Sequence, residues 1–185
     1  MEKAFEKSFR SLGLEYVDLY IMHFPVIQRK ESWKIMEKIA KSGKCRAIGV
    51  SNFTIRHLQG IMETAEIIPA VNQVEFTPIL YQKELLDFCT KNKIAVEAYS
   101  PLTNGRRLTD SRFTKIAFKY KKSNAQLLIR WCLQHGIITI PKSKSKVRIF
   151  ENFDVFDFDI SKEDMQALDD MNENARFCWD PSTAP

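Results

Sequence analysis

Residues able to do chemistry recur in one kind of place along this chain, at the ends of short apolar runs. The run Ile94–Ala98 is followed by Tyr99, an aromatic ring, and Ser100, a hydroxyl. Pro101 then stops it, having no amide proton to continue a sheet ladder. The apolar stretch Tyr16–His23 ends on an imidazole just before Phe24-Pro25, Cys45–Val50 ends in Ser51-Asn52, and Ala70–Val74 carries Gln73 and runs into Glu75. Ile137–Ile140 stops at Pro141 and gives way to a strongly basic stretch, Lys142 to Arg148. Polar groups gathered at the carboxyl ends of strands are how α/β sheets bind small ligands. The basic stretch suits an anion such as a phosphate, for which lysine offers a point charge and arginine a fork of donors.

These groups need a scaffold, and the spacing between them supplies one. Ala4, Phe5, Phe9 and Leu12 recur at helical intervals over 1–12, with Gly13 as a stop. Further helices are expected over 31–42 around Trp33 and Met36, over 55–65 behind Thr54 as a cap, and over 82–90. Two more fall at 113–120 and 124–135, then a short one at 147–152 and another from Ser161 to about Asp170. Ser123 with Gln126, and Ser161 with Asp164, have the spacing of capping boxes, in which each side chain satisfies the other residue's free amide. The tail from Asn172 to Pro185 reads as irregular. The order is therefore α-β-α-β-α-β-α-β-α-β-α. Such alternation, with strands almost wholly apolar, predicts an α/β fold: a parallel sheet joined by crossover helices and buried on both faces.

The chain of 185 residues reads as a single domain spanning 1–185, large enough for a sizeable core. Its four cysteines are far apart, which argues against a zinc site or a disulfide scaffold and fits a reducing cytoplasm. No apolar run approaches the ~20 residues of a membrane span, and charges interrupt the first apolar positions, unlike a signal peptide. A net charge of +5, dispersed along the chain, fits small anionic ligands rather than nucleic acid or a membrane. No G-x-G-x-x-G or P-loop follows any strand. His57 and His135 lie on expected helices with no carboxylate pattern and read as surface residues, Arg106 and Arg107 as solvated loop charges. Glu75 and Glu97 receive no catalytic role.

Taken in order, YVDLYIMHFP (16–25), GKCRAIGVSNF (43–53), AVNQVEFTP (70–78), AVEAYSPL (95–102), LLIRWCLQHG (127–136) and IPKSKSKVRIFEN (140–152) resemble the aldo-keto reductases over nearly the whole chain. The resemblance implies a (β/α)8 barrel of the TIM type, here incomplete, with about five parallel strands, and an NADPH-dependent reduction of aldehydes and ketones. By position in these motifs, His23 is the histidine that orients the substrate carbonyl. Ser51, Asn52 and Gln73 correspond to the residues that bond the nicotinamide carboxamide, and Tyr99 to the ring stacked on it. Ser100, Leu102 and Asn104 correspond to residues along the pyrophosphate. Lys142, Ser143 and Arg148 correspond to those that hold the 2′-phosphate, and Glu151 and Asn152 to those that hold the adenosine. A flat amide needs both donors and acceptors, which Ser, Asn and Gln supply.

The resemblance also marks what is missing. The family's proton donor is a tyrosine supported by an aspartate and a lysine, from segments that precede the part matching residues 1–12. On that basis the chain is expected to be an N-terminally truncated form, short of about three βα units, ~90 residues at ~30 each. Five strands do not close a barrel, and open edges invite self-association, whereas a complete barrel is expected to be a monomer. Two functional expectations follow. One is an NADP(H)-dependent oxidoreductase acting on a small carbonyl substrate, and the other a non-catalytic NADP-binding or interaction fragment. Thr77 stands where many relatives have His, and the segment after His23 is short, so the pocket there is expected to be shallow.

Overall fold

In the computed structural model, which describes residues 1–185, helices and strands alternate. The elements are α1 (Glu2–Leu12), β1 (Val17–Met22), α2 (Arg29–Lys41), β2 (Cys45–Ser51), α3 (Ile55–Met62), β3 (Val71–Glu75), α4 (Lys83–Lys91), β4 (Ala95–Tyr99), α5 (Ser111–Lys119), α6 (Asn124–Gln134), β5 (Ile138–Thr139), α7 (Lys146–Phe153) and α8 (Lys162–Asp169). Short 3-10 turns cover Thr103–Gly105 and Pro181–Thr183, and the tail is otherwise irregular, as expected. Strand order follows the chain, β1-β2-β3-β4-β5. The pairs β1–β2, β2–β3 and β4–β5 are parallel. β5 is shorter than the apolar run predicts, although the Ile140 amide still donates to the Ala98 carbonyl at 3.2 Å before proline ends the ladder.

The chain forms two compact units. The first comprises Met1–Gln73, Leu85–Ala95 and Asp180–Pro185. Its core holds Trp33, Met36, Ile48, Val50, Phe53, Leu58 and Ile61, all at most 1% exposed. Register brings Ser51 opposite Gln73 and Val50 opposite Asn72. Asn72 is wholly buried, yet satisfied: its side-chain amide donates to the Phe53 carbonyl (2.9 Å) and its oxygen accepts from the Phe53 amide (3.3 Å). That pairing holds the turn after β2 in place, where an unpaired buried amide would be costly. Glu37, on α2, is likewise buried, and its carboxylate accepts from the amides of Glu66 (2.7 Å) and Ile67 (2.9 Å).

His57 is not a surface residue. It is fully buried at the start of α3, where Nδ1 accepts from the Thr54 amide at 3.2 Å and Nε2 faces the Ala184 carbonyl at 3.2 Å. It closes a capping box with Thr54, using an imidazole where Glu or Gln is usual.

The second unit comprises Val74–Glu84 and Val96–Trp179. Phe76 stacks on Trp131 with centroids 5.5 Å apart, and Phe113, Leu127, Leu128 and Ile129 complete its core. The Ser123–Gln126 box forms as its spacing predicts. The Ser161–Asp164 box is completed differently. The Ser161 hydroxyl accepts from the Asp164 amide, but the Asp164 carboxylate takes Lys119 Nζ (2.5 Å) and Tyr120 OH (2.7 Å). The Ser161 amide donates instead to Tyr120 OH at 2.9 Å. His135 also has a carboxylate partner, Asp169, at 2.9 Å, and Asp169 accepts from Trp131 Nε1 as well, at 2.7 Å.

Candidate functional site

In the first unit, the ends of β1, β2 and β3 gather His23, Ser51, Asn52 and Gln73. His23 follows β1 and is exposed, its ring stacked on Phe24 with centroids 4.2 Å apart. Asn52 adopts φ +62°, a left-handed conformation that asparagine tolerates better than most residues, and is 4% exposed. Its side-chain amide donates to the His23 carbonyl (3.0 Å) and to Ser51 Oγ (3.1 Å). Ser51 Oγ donates to the Gln73 carbonyl at 2.8 Å, and the Asn52 amide reaches the same carbonyl at 2.9 Å. The strand ends are thus fastened to one another, and much of the hydrogen-bonding capacity of Ser51 and Asn52 is already spent within the protein.

In the second unit, a cleft of about 880 Å³ is lined by Ser100, Leu102, Asn104, Lys142, Ser143, Arg148, Glu151 and Asn152, among others. Local structure explains the gathering. Ser100 to Leu102 follow β4, and Lys142 and Ser143 follow β5. Arg148, Glu151 and Asn152 recur at i, i+3 and i+4 and so share one face of α7. Neither Lys142 nor Arg148 is engaged in an ion pair. The cleft also takes in the amino-terminal residues Asn124 and Ala125 of α6. Partial positive charge at a helix amino end favours anions, as the two free cations do.

Tyr99 is not among the residues lining that cleft. It is half-buried, and burial, with lesser contributions from Cys178 and Glu75, pushes its phenol up to about 12. It therefore stays protonated at neutral pH. Glu75 is 1% exposed, and its carboxylate accepts from the amides of Phe177 (2.8 Å) and Cys178 (3.2 Å), so it anchors the tail. Thr77 is buried, its hydroxyl accepting from the Leu80 amide at 3.1 Å.

Two features escaped the sequence reading. Phe118 lines the cleft with 82% of its surface exposed, an aromatic face left to solvent beside free cations. Its position on an amphipathic helix gave no signal of this. Arg107 is not a solvated charge either: its guanidinium donates to both oxygens of Glu173, each at 2.8 Å, a pairing 66 residues apart in sequence.

A sequence profile described as the Aldo/keto reductase family matches residues 1–173. Among curated proteins, the glyoxal reductase of Bacillus subtilis is 52% identical over 179 residues, covering 96% of this chain and 65% of that protein. The 9,11-endoperoxide prostaglandin H2 reductase of Trypanosoma cruzi is 47% identical over 182 residues, covering 96% and 64%. The chain thus spans about two thirds of the length of these relatives. Among solved structures, an aldo-keto reductase from a Medee basin deep-sea metagenome library superposes with TM-score 0.94 at 39% identity, covering 100% of this chain and 70% of that one. The Bombyx mori aldo-keto reductase in complex with NADP superposes with TM-score 0.90 at 36% identity, covering 99% and 67%.

Proposed function

Since the chain belongs to the aldo/keto reductase family, and its five strands and their helices have the fold of the matching part of those (β/α)8 barrels, we propose that it binds NADP(H) and serves the reduction of small aldehydes or ketones to alcohols. The observation that carries this reading is the cleft of the second unit, where Lys142 and Arg148 stand without anionic partners beside Ser143, Glu151 and Asn152.

The donor set fits the nucleotide. Arg148 and Lys142 would hold the 2′-phosphate, the arginine by a fork and the lysine by its charge. Ser143 adds a hydroxyl, and Glu151 and Asn152 would accept from and donate to the adenosine. Phe118 offers an apolar face on which a purine can lie. Ser100, Leu102 and Asn104 would run along the pyrophosphate. Gln73, with the acceptor side of Ser51 and the side-chain oxygen of Asn52, suits a carboxamide. Tyr99, held neutral, would give a flat ring for stacking rather than a proton.

When bound, NADPH supplies a hydride to the carbonyl carbon. His23, exposed and held at the end of β1 through its own main-chain carbonyl, would donate to the substrate oxygen and fix its orientation. A small carbonyl compound is the substrate class, and a reducing cytoplasm is the setting, consistent with four free cysteines. No helix is long and apolar enough to cross a membrane.

A second reading, a chain that binds the nucleotide without turning it over, is favoured by the environments of the tyrosines. Tyr20, on the same strand that leads to His23, packs edge-on against Phe5, and burial raises its phenol above the ordinary value. Tyr120 is bonded to Asp164, and Tyr99 is held near 12. None of these three is poised as an acid, a role whose loss costs roughly 10²–10⁴ in rate.

Calorimetry with NADPH and NADH, alongside consumption of reduced nicotinamide with an aromatic aldehyde, separates the two. Binding with turnover that falls in His23→Ala supports the enzyme, and binding without turnover supports the second reading. Absence of binding, or equal affinity for NADPH and NADH, defeats the assignment of the cleft.

A further inference from the structure

The cleft wall between β4 and α5 is made from backbone that L-residues resist. φ is +50° at Ser100, +54° at Thr103, +53° at Asn104 and +79° at Gly105. Three of these four residues, together with Leu102 and Leu108, line the cleft. Non-glycine residues persist in this region only where their surroundings over-determine them, so something must hold the segment.

Part of the restraint is local. Thr103 Oγ1 donates to the Leu102 carbonyl (2.7 Å) and accepts from the Arg107 amide (3.0 Å), and the Asp110 amide donates to the Arg107 carbonyl (3.0 Å). The rest comes from far along the chain: the Asn104 side-chain amide donates to the Phe177 carbonyl (3.4 Å) and to Cys178 Sγ (3.3 Å), and the charged contacts converge on one carboxylate. Arg107 Nη2 donates to both oxygens of Glu173, each at 2.8 Å, and Arg112 Nη2 to Glu173 Oε1 at 2.7 Å. Arg112 also grips Asp110 with a fork of 3.1 and 2.7 Å, and Arg107 Nε lies 3.5 Å from the same carboxylate. Two cations and two anions close a ring. Glu173 is fixed from behind, its amide donating to the Ile79 carbonyl at 3.0 Å.

We propose that Glu173 is a positioning residue for the nucleotide cleft, a clasp that holds segment 102–108 in its left-handed shape and thereby slows cofactor release. This rests on the reading of the cleft as the NADP(H) site. The argument is one of balance. Without the Glu173 carboxylate, two guanidinium groups are left with Asp110 alone as their shared anion, and the strained segment loses its charged tie to the tail, keeping only the neutral bonds from Asn104 to Phe177 and Cys178. A charge network of this kind carries more than an isolated surface pair, because each member is held by two others.

The test uses the full chain and follows nucleotide fluorescence after rapid mixing. In Glu173→Ala and Glu173→Gln, NADPH release speeds up by about tenfold, an effect on dissociation rather than association, and Glu173→Asp recovers part of the loss. The double variant Arg107→Ala/Glu173→Ala is no worse than Glu173→Ala, since both remove one interaction. The preference for NADPH over NADH is unchanged in every variant, because Arg148 is untouched; general loosening of the fold would erode it. In nucleotide-free protein, amides of residues 102–107 exchange about tenfold faster in Glu173→Ala while those of α6 do not change.

Release within about twofold of wild type, or an exchange increase spread into α6, overturns the proposal. So does tighter binding, the result expected if the carboxylate merely competes with phosphate for two arginines. Failure of the wild-type chain to bind NADPH defeats the cofactor reading instead, and the exchange data then decide the clasp by themselves.

Discussion

The side-chain amide of Asn52 donates to the main-chain carbonyl of His23 at 3.0 Å, so the residue after β2 holds the residue after β1. Asn52 does this from φ +62°, and two substitutions separate the two contributions. Asn52→Gly keeps the conformation and loses the amide, leaving a carbonyl and a hydroxyl short of a donor, at about 1–3 kcal/mol. Asn52→Ala adds the cost of a left-handed non-glycine residue, roughly 1 kcal/mol more. Urea titration of both variants gives the ranking wild type, Gly, Ala. The order Ala above Gly would show that the backbone conformation is not maintained.

Arg148→Ala removes a fork from the face of α7 that lines the cleft. NADPH affinity is expected to fall by about 10–100-fold and NADH affinity by less than about threefold, because only the former carries the extra phosphate. Lys142→Ala shifts the ratio in the same direction by a smaller factor. Titration calorimetry at constant salt measures both, and salt must be fixed because the contact is ionic.

Burial, ahead of repulsion from Arg56 and Arg29, holds the His57 imidazole below its ordinary value of 6.5. The sign follows from which state takes up the proton first. Above pH 6.5 both folded and unfolded chains carry a neutral ring, and its contribution to stability is complete. As pH falls below 6.5 the unfolded chain is protonated while the folded chain is not. Stability is therefore lost progressively down to the folded value, with a slope of at most about 1.4 kcal/mol per pH unit. Protonation also removes the acceptor that takes the Thr54 amide. Chemical denaturation of wild type and His57→Asn between pH 7.5 and about 5 checks this: the variant is less stable throughout, but its curve lacks that slope.

A Cβ added at Gly49 would lie 2.9 Å from the Val71 carbonyl oxygen and 3.3 Å from the Val71 side chain. Gly49 sits mid-strand in β2, so the close approach of β3 is what requires glycine there. Gly49→Ala is expected to cost about 1–3 kcal/mol through overpacking, read as a lower denaturation midpoint with unchanged slope.

On α7, Phe150 and Phe153 are 65% and 74% exposed, and they line one hollow with Ile138 of β5, 46% exposed. An apolar patch next to a two-residue edge strand is a surface for self-association. Light scattering of the wild-type chain is expected to rise with concentration, and Phe150→Asp/Phe153→Asp to suppress that rise while leaving the far-ultraviolet circular dichroism in place. A wild-type chain that stays monodisperse would remove this expectation.

How much of this was legible beforehand depends on how far apart the partners lie. The Ser123–Gln126 box joins residues three apart, and the sequence announces it. The Ser161–Asp164 pair has the same spacing, yet the Asp164 carboxylate is claimed by Lys119 and Tyr120, 45 and 44 residues away. His135 and Asp169, 34 apart, and Arg107 and Glu173, 66 apart, carry no local signature of their pairing. His57 was misplaced for the same reason: its burial depends on contact with Ala184, 127 residues along the chain.

The sequence by itself determined the alternation of helix and strand, the apolar faces, and the polar residues stationed where strands stop, because these follow from periodicity and backbone chemistry within a few residues. Only the tertiary structure decided which carboxylates became anchors, that Phe118 would face an open cleft, and that one glutamate from the tail would clasp a strained loop. Those outcomes depend on which distant groups meet once the chain has collapsed. A buried or half-buried charge is held by whichever partner the fold delivers, and spacing along the chain does not encode that meeting.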